Sequence, residues 1–371
     1  MSDTYINQIV ELEDAFNFSL SSKTLFLKAM KAIVDWHYKR NPVYYKLCER
    51  EGFSPSLLTT QEAIFRIPFI FVTVIKKYKL LSIADKDIFL TLTSSGTGGV
   101  KSAIYLDKSS LERIKKIVKN IFSSLNLYSP DEVVNYICFT YEPEYASWIG
   151  TSFSDRMLME LTGVGEAFFA LRYSNGGFYF DKSGAMKSLK RFLRLPNPVR
   201  LLGFPSFLYQ FIQDIEVRLP MPESCFVITG GGWKTLADKE IPKQEFRKEI
   251  AHRLGIPVEN VRDLFGFVEH GIPYVECEKG NFHIPIYSQV LARDPATLKP
   301  LPKGEVGLLH FLTPYITSMP THSVLSSDLG SVEEGCHCGR RGTYLKFIGR
   351  GGVRKLTGCA ISALEVLAKG E

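Results

Sequence analysis

Five short apolar runs punctuate the middle of this chain: VVNYICF (Val133–Phe139), FFALRY (Phe168–Tyr173), LLGF (Leu201–Phe204), CFVITGGG (Cys225–Gly232) and NVRDLFGFVE (Asn260–Glu269). Stretches with helical apolar spacing separate them. Runs of this length, rich in β-branched and aromatic residues, read as strands, and their alternation with helices predicts a layered α/β core. Upstream, residues 21–50 carry apolar positions at three- and four-residue spacing, which predicts two amphipathic helices broken near Asn41-Pro42. Leu92–Leu106 reads as a strand, a Ser/Thr/Gly-rich turn and a second strand entering Asp107. That Asp, or the Ser pair after it, caps a helix over Leu111–Leu125. After Tyr274 the texture becomes strand-rich. The expected division is a helical segment over 1–65, an α/β core over 66–272, a strand-rich subdomain over 273–348 and a short tail over 349–371.

Composition narrows the classes. In 371 residues, 45% are hydrophobic and 23% are charged, near globular averages, which excludes disordered and fibrous chains. At about 150 residues per domain, that length suggests two to three units. The longest apolar run, Ile67–Ile75, is too short to cross a bilayer. Met1–Phe16 is acidic and lacks a signal-peptide pattern, so a cytoplasmic protein with no transmembrane segment is expected. The balance of 45 Lys and Arg against 39 Asp and Glu leaves a net charge of +6, which suits anionic small molecules. The basic clusters Lys187–Arg194 and Gly339–Lys355 do not form a nucleic-acid footprint, and no nucleic-acid partner is expected. Seven cysteines without a secretory signal argue for reduced thiols, metal ligands or a reactive centre.

Three segments carry chemistry. Thr93–Ser102 (TSSGTGGVKS) runs from a strand into a hydroxyl- and glycine-rich turn, which presents backbone N–H groups and hydroxyls to an anion, with Lys101 adding a point charge. It is not a Walker A loop, because GxxxxGK[ST] is absent. The plain alternative is a Gly-rich hairpin loop. Asp263–His270 (DLFGFVEH) sets carboxylates around a strand–Gly turn, suited to Mg²⁺ or a nucleotide; capping or solvation is the plain alternative. Ser326–Gly330 (SSDLG) is followed about twenty residues on by Gly349-Arg350-Gly351-Gly352; an Asp in a loop can hold both hydroxyls of a ribose, and an Arg can fix the same sugar or its phosphate. A fourth constellation is Cys336-His337-Cys338 in a Gly-flanked turn with Cys277 and His283, which together offer a tetrahedral Cys₃His set for structural Zn²⁺. His270 and His337 read equally well as surface residues.

Taken in order, SSGTGGVKS, GGGWK, FGFVEH, SSDLG and IGRGGVRKLTG resemble the acyl-adenylate-forming superfamily. The likeness is nearest to the phenylacetate–CoA ligase branch and to the acyl-protein synthetases of the bacterial luciferase system. It spans about Ile67 to the C-terminus. The fold it implies is the N-terminal adenylate-forming core, with layered α/β subdomains plus a smaller strand-rich subdomain and without the C-terminal lid domain.

The resemblance also implies roles. Ser94, Ser95, Gly96, Thr97, Gly98 and Lys101 would cradle the ATP phosphates, although Gly98 replaces the usual second Thr and no Pro precedes Lys101. Gly230, Gly231, Gly232 and Trp233 would border the adenine. Glu269 would assist Mg²⁺, Asp328 would bind the ribose hydroxyls, and Arg350 would approach the ribose. The phenylacetate–CoA ligase branch has a CxCGR segment at Cys336–Arg340, and in some members it binds metal. Only thirteen residues follow Gly358, and the acyl-protein synthetases end in the same short way, with a cysteine that accepts the acyl group. Cys359 would take that role, its thiol pKa lowered by Arg354 and Lys355.

The expected activity is ATP-dependent conversion of a carboxylic acid, with a long-chain fatty acid as the favoured substrate, to acyl-AMP. Transfer to Cys359 as a thioester and delivery to an acyl reductase partner would follow. The aromatic stretches Tyr141–Trp148 and Phe204–Tyr209 would line the acyl group, or would simply be core. Two other readings stay open: an acyl- or aryl-CoA ligase using free coenzyme A, and a non-enzymatic acyl-nucleotide-binding scaffold of a reductase complex.

Overall fold

The computed structural model describes residues 2–93, 103–146, 150–215, 219–233 and 240–350. The chain divides into two units: residues 1–124, 267–272 and 283–371 form the first, and residues 125–266 and 273–282 the second.

The second unit is built on a seven-stranded sheet. Its strands are β4 (Ser129–Tyr141), β5 (Thr162–Ser174), β6 (Gly177–Phe180), β7 (Val199–Gly203), β8 (Phe226–Gly230), β9 (Val261–Phe265) and β10 (Tyr274–Val275), in the order β10-β9-β8-β7-β4-β5-β6. The pairs β4/β5, β4/β7, β7/β8 and β8/β9 are parallel, while β6 and β10 close the edges antiparallel. A parallel strand covered on both faces cannot alternate apolar and polar residues, and all five residues of β7 are buried. Helices α8 (Lys182–Phe192), α9 (Pro205–Gln213) and α10 (Lys243–Leu254) contribute to one core with Ile137, Phe139, Leu201, Val227 and Val261. The basic run Lys187–Arg194 begins on α8, whose Ala185, Leu189 and Phe192 are buried. Arg247 of α10 is buried, and its guanidinium donates to the carbonyls of Val261 and Val258, which ties α10 to the start of β9. Gly255, at φ +67°, ends α10 in the left-handed conformation that glycine tolerates best.

The first unit carries a six-stranded sheet of β1 (Ile70–Phe71), β11 (Phe282–His283), β12 (Gln289–Arg293), β13 (Gly307–Leu312), β14 (Ser323–Glu334) and β15 (Thr343–Arg350). Its order is β11-β15-β14-β13-β12, with β1 parallel to β14. Helices α1 (Ser2–Val10), α2 (Leu20–Arg40), α3 (Pro42–Arg50), α4 (Val72–Lys77) and α5 (Lys108–Ser124) belong to the same unit. The helix break expected at Asn41-Pro42 is present. Asn41 donates its N–H to His37 O and accepts from the Tyr44 N–H on its side chain, while Pro42 fills the first helical position, where no N–H is needed. Among the described residues no helix is long and apolar enough to cross a membrane.

One local expectation fails. Ser326–Gly330 reads as a loop, yet it lies inside the twelve-residue strand β14, with a register shift between Leu329 and Gly330. A Cβ at Gly330 would meet Lys346 O at 2.5 Å, so the glycine answers a close cross-strand approach rather than a turn.

Candidate active site

The strand–turn–strand reading of Leu92–Leu106 matches β2 (Leu90–Thr93) and β3 (Ala103–Leu106), an antiparallel pair with Thr93 opposite Ala103. The loop between them, including Ser94, Ser95, Gly96, Thr97, Gly98 and Lys101, lies outside the described residues. Past β3, Asp107 accepts from the Ser110 N–H at 3.1 Å and from the Thr317 hydroxyl at 2.9 Å, anchoring the start of α5.

In the second unit the carboxyl ends of β4, β7, β8 and β9 come into line: Phe139 pairs with Gly203, Gly203 with Thr229, and Gly230 with Leu264. In open α/β sheets ligands bind outside this edge. Gly231 and Gly232 follow β8 there, exposed and with positive φ of +80° and +70°. Trp233 is 7% exposed, with its ring 5.5 Å from Tyr209 and 5.9 Å from Phe246, so its aromatic surface is largely committed to the core.

Asp263, near the end of β9, anchors a network that sequence reading did not single out. Its Oδ1 accepts from the Thr229 hydroxyl at 3.0 Å, and its N–H donates to Glu276 Oε2 at 2.8 Å. Lys243 Nζ pairs with Glu276 Oε1 and stands 4.0 Å from Asp263 Oδ2. Burial is the largest influence on the Asp263 carboxyl; Lys243 opposes it and Glu276 adds to it, and the result is a pKa raised to about 7. The only local sequence signal was an Asp near a strand end.

In the first unit, Glu269 sits on the turn after Gly266, 2% exposed, with no hydrogen-bond partner for its Oε1. An ionised carboxylate buried with an open oxygen is costly unless a cation or donor fills it, so Glu269 fits a Mg²⁺ ligand. His270, next along, is fully buried rather than at the surface; burial lowers its pKa to about 3, and the Tyr315 hydroxyl donates to its carbonyl at 2.7 Å. His337 is exposed.

Strand pairing brings two of the expected nucleotide residues together: Asp328 on β14 is directly opposite Arg350 on β15. The Asp328 N–H donates to Ser326 Oγ at 3.0 Å, which fixes the backbone there.

Part of the cysteine–histidine set comes together within the first unit. Glu276 bridges to Phe282 and the Cys277 N–H bonds Asn281 O, so Cys277 and His283 flank one tight turn. Cys336 and Cys338 lie on the turn joining β14 to β15, and the order of the sheet puts β11 beside β15. Within the first unit, Cys338 Sγ is 3.2 Å from His283 Nε2. A tetrahedral zinc with Zn–S bonds of about 2.3 Å needs ligand edges near about 3.7 Å, and the separation of Cys338 and His283 is close to one such edge. Three other cysteines, Cys48, Cys138 and Cys225, are buried, and burial raises each thiol pKa, that of Cys48 to about 11. Cys359 lies outside the described residues.

The comparisons with known proteins agree with the motif order. The family model for acyl-protein synthetase, LuxE, matches residues 1–368. The long-chain-fatty-acid–luciferin-component ligase of Aliivibrio fischeri is 28% identical over 359 residues, covering 92% of this chain and 88% of its own length. Phenylacetate-coenzyme A ligase of Thermus thermophilus is 24% identical over 324 residues, covering 84% of this chain and 66% of that protein. Among solved structures, an open conformation of 2-hydroxyisobutyryl-CoA ligase in complex with 2-HIB-AMP and CoA shares the fold, with a TM-score of 0.68 at 17% identity over 88% of this chain and 69% of that one. With an α/β architecture like that of adenylate-forming ligase cores and a family match along almost its whole length, the chain belongs to the acyl-protein synthetase family, LuxE.

Proposed function

We propose that this protein activates a carboxylic acid with ATP and passes the acyl group to its own Cys359, with long-chain fatty acids as the substrate class. In the first step an acid oxygen bonds to the α-phosphorus of ATP and the bond to pyrophosphate breaks, leaving acyl-AMP. In the second the Cys359 thiolate attacks the acyl carbonyl, AMP leaves, and a thioester remains for delivery to an acyl reductase. An acyl adenylate is already activated, so the protein's task in the second step is chiefly proximity.

The observation that carries this reading is the buried, open carboxylate oxygen of Glu269 in a chain whose family match runs over residues 1–368. Glu269 would hold Mg²⁺, which when bound neutralises phosphate charge. Ser94, Ser95, Gly96, Thr97, Gly98 and Lys101 would bind the phosphates, Gly231 and Gly232 would border the base, and Asp328 with Arg350 would hold the ribose. Cys277, His283, Cys336 and Cys338 would hold a structural Zn²⁺ with no position left open for catalysis. Cys359 gains support from elimination: Cys48, Cys138 and Cys225 are buried thiols held protonated at neutral pH. A reduced thiol acceptor suits the cytoplasm.

The test is incubation with ATP, Mg²⁺ and a panel of labelled acids, followed by mass spectrometry of the C-terminal peptide. A thioester on Cys359 is expected, and Cys359→Ser should lose the label while keeping acid-dependent ATP–pyrophosphate exchange. Absence of an adduct with every acid rejects the acceptor role. The similarity to phenylacetate-coenzyme A ligase favours one second reading, transfer to free coenzyme A. Cys359→Ser separates the two, since a coenzyme A ligase would keep its full turnover.

A further inference from the structure

The connection from β13 to β14 runs through the interior of the first unit. Residues 313–322 form no helix or strand, and all of them are buried. Buried backbone outside regular structure must find its hydrogen-bond partners one at a time. At Thr317 they come from α2 and α5. The Thr317 hydroxyl lies 2.9 Å from Asp107 Oδ2, 3.0 Å from Ser110 Oγ and 3.3 Å from Arg113 Nη1. A carboxylate and a guanidinium fix the roles: the hydroxyl donates to Asp107 and accepts from Arg113, so Ser110 donates too. The Thr317 N–H returns to Ser110 Oγ at 2.9 Å, and its carbonyl accepts from Trp36 Nε1 at 2.9 Å. Asp107 and Ser110 stand where β3 passes into α5, just after the Ser/Thr/Gly segment in sequence. On β3 itself, the Tyr105 N–H donates to Met319 Sδ at 3.2 Å.

Two residues earlier, Tyr315 reaches the turn that carries Glu269. Its buried hydroxyl donates to His270 O at 2.7 Å. The turn is closed by the N–H groups of His270 and Gly271 on Phe267 O, at 3.1 and 3.3 Å. The His270 ring stacks on Phe267 at 5.2 Å, and both rings meet Phe311 of β13, at 5.1 and 5.0 Å. Gly271 has φ +84°, and a Cβ there would come within 2.9 Å of Ile114 and 3.4 Å of Ile316. The turn is therefore pressed against α5 and against the Tyr315–Thr317 strap at once. Glu269 Oε1 has no hydrogen-bond partner, so the backbone of the turn, rather than a contact to that oxygen, places it. Groups that orient a metal ligand in this indirect way commonly govern affinity by 10- to 100-fold, as an order of magnitude of roughly that size.

We propose that Tyr315 is a positioning residue for Mg²⁺: through the His270 carbonyl its hydroxyl sets the Glu269 carboxylate relative to the start of α5. This rests on the reading of Glu269 as the Mg²⁺ ligand of an acid-activating enzyme, and it assigns the residue that holds that ligand in place.

The test is Mn²⁺ binding to the full chain in the presence of ATP, read from the electron paramagnetic resonance of the free ion. Tyr315→Phe removes one hydroxyl and keeps the ring; its Kd for Mn²⁺ is expected to rise about tenfold. In ATP–pyrophosphate exchange the same variant should need more Mg²⁺, with the KM for the acid within about twofold of wild type. Tyr287→Phe is the control, because it removes a buried hydroxyl whose partners are Leu12 and Asn120 rather than the strap. It should lower Tm to a similar degree and leave the Mn²⁺ Kd within about twofold. If Tyr315→Phe does not fold, Thr317→Val, which cuts the strap at its other end, decides by the same rise in Kd. A Kd within about twofold of wild type overturns the assignment, and so does an equal rise in Tyr287→Phe. Glu269→Gln should bind Mn²⁺ far more weakly than wild type; wild-type affinity there overturns the Glu269 reading itself.

Discussion

Asp263 holds its proton higher on the pH scale than an ordinary carboxyl, because its burial outweighs the attraction of Lys243 and Glu276 stands beside it. From about pH 4 to pH 7 the folded chain keeps this proton and the unfolded chain does not. Stability therefore falls as pH rises through that window, and above it the folded chain carries the full cost of a poorly solvated charge. Asp263→Asn keeps an acceptor for the Thr229 hydroxyl and removes the charge. Its stability relative to wild type should grow from pH 5 to pH 8, read as the difference in urea midpoints; a difference that does not change with pH would count against the account. The same residue shows why local reading fell short. Its partners Thr229, Lys243 and Glu276 lie on three other segments, and nothing in DLFGFVEH announces them.

Two hairpin turns carry the cysteines and histidine proposed to hold zinc. The turn Cys277–Asn281 and the turn between β14 and β15 are each set by ordinary short-range chemistry. Neither turn holds four ligands by itself, which is why the spacing in the sequence resembles no standard finger. The purified chain should carry about one zinc, measured by mass spectrometry of the metal, and Cys338→Ser should lose it. Chelation should lower Tm by about 5 °C or more, since a ligand bound only to the folded state stabilises it. A chain that has no zinc and ignores the chelator would reject the site. Strand β14 makes a related point: SSDLG carries turn-forming residues, yet pairing with β13 and β15 carries it as strand.

At the scale of the whole molecule, buried neutral histidines govern the response to acid. Burial lowers the pKa of His37 and His270 to about 3, and those of His310 and His322 fall well below the ordinary 6.5. Each stays neutral when folded and takes a proton when unfolded, so stability is complete above about pH 6.5 and is lost as pH falls below it. The urea midpoint should drop from pH 7.5 to pH 5, with protons taken up on unfolding; a flat profile would refute this. What the sequence alone determined is what short segments control. The alternation of apolar runs and helical stretches appears as β4, β5, β7, β8 and β9 with their helices, the break at Asn41-Pro42 separates α2 from α3, and β2 pairs antiparallel with β3. The motif order marked the family because it survives in one dimension. Tertiary structure alone decided that Asp328 pairs opposite Arg350, that His283 meets Cys338, that His270 is buried, and that the Ser206 hydroxyl is left open. Periodicity and turn chemistry act over a few residues, whereas register, burial and an unsatisfied hydroxyl exist only once distant segments have packed.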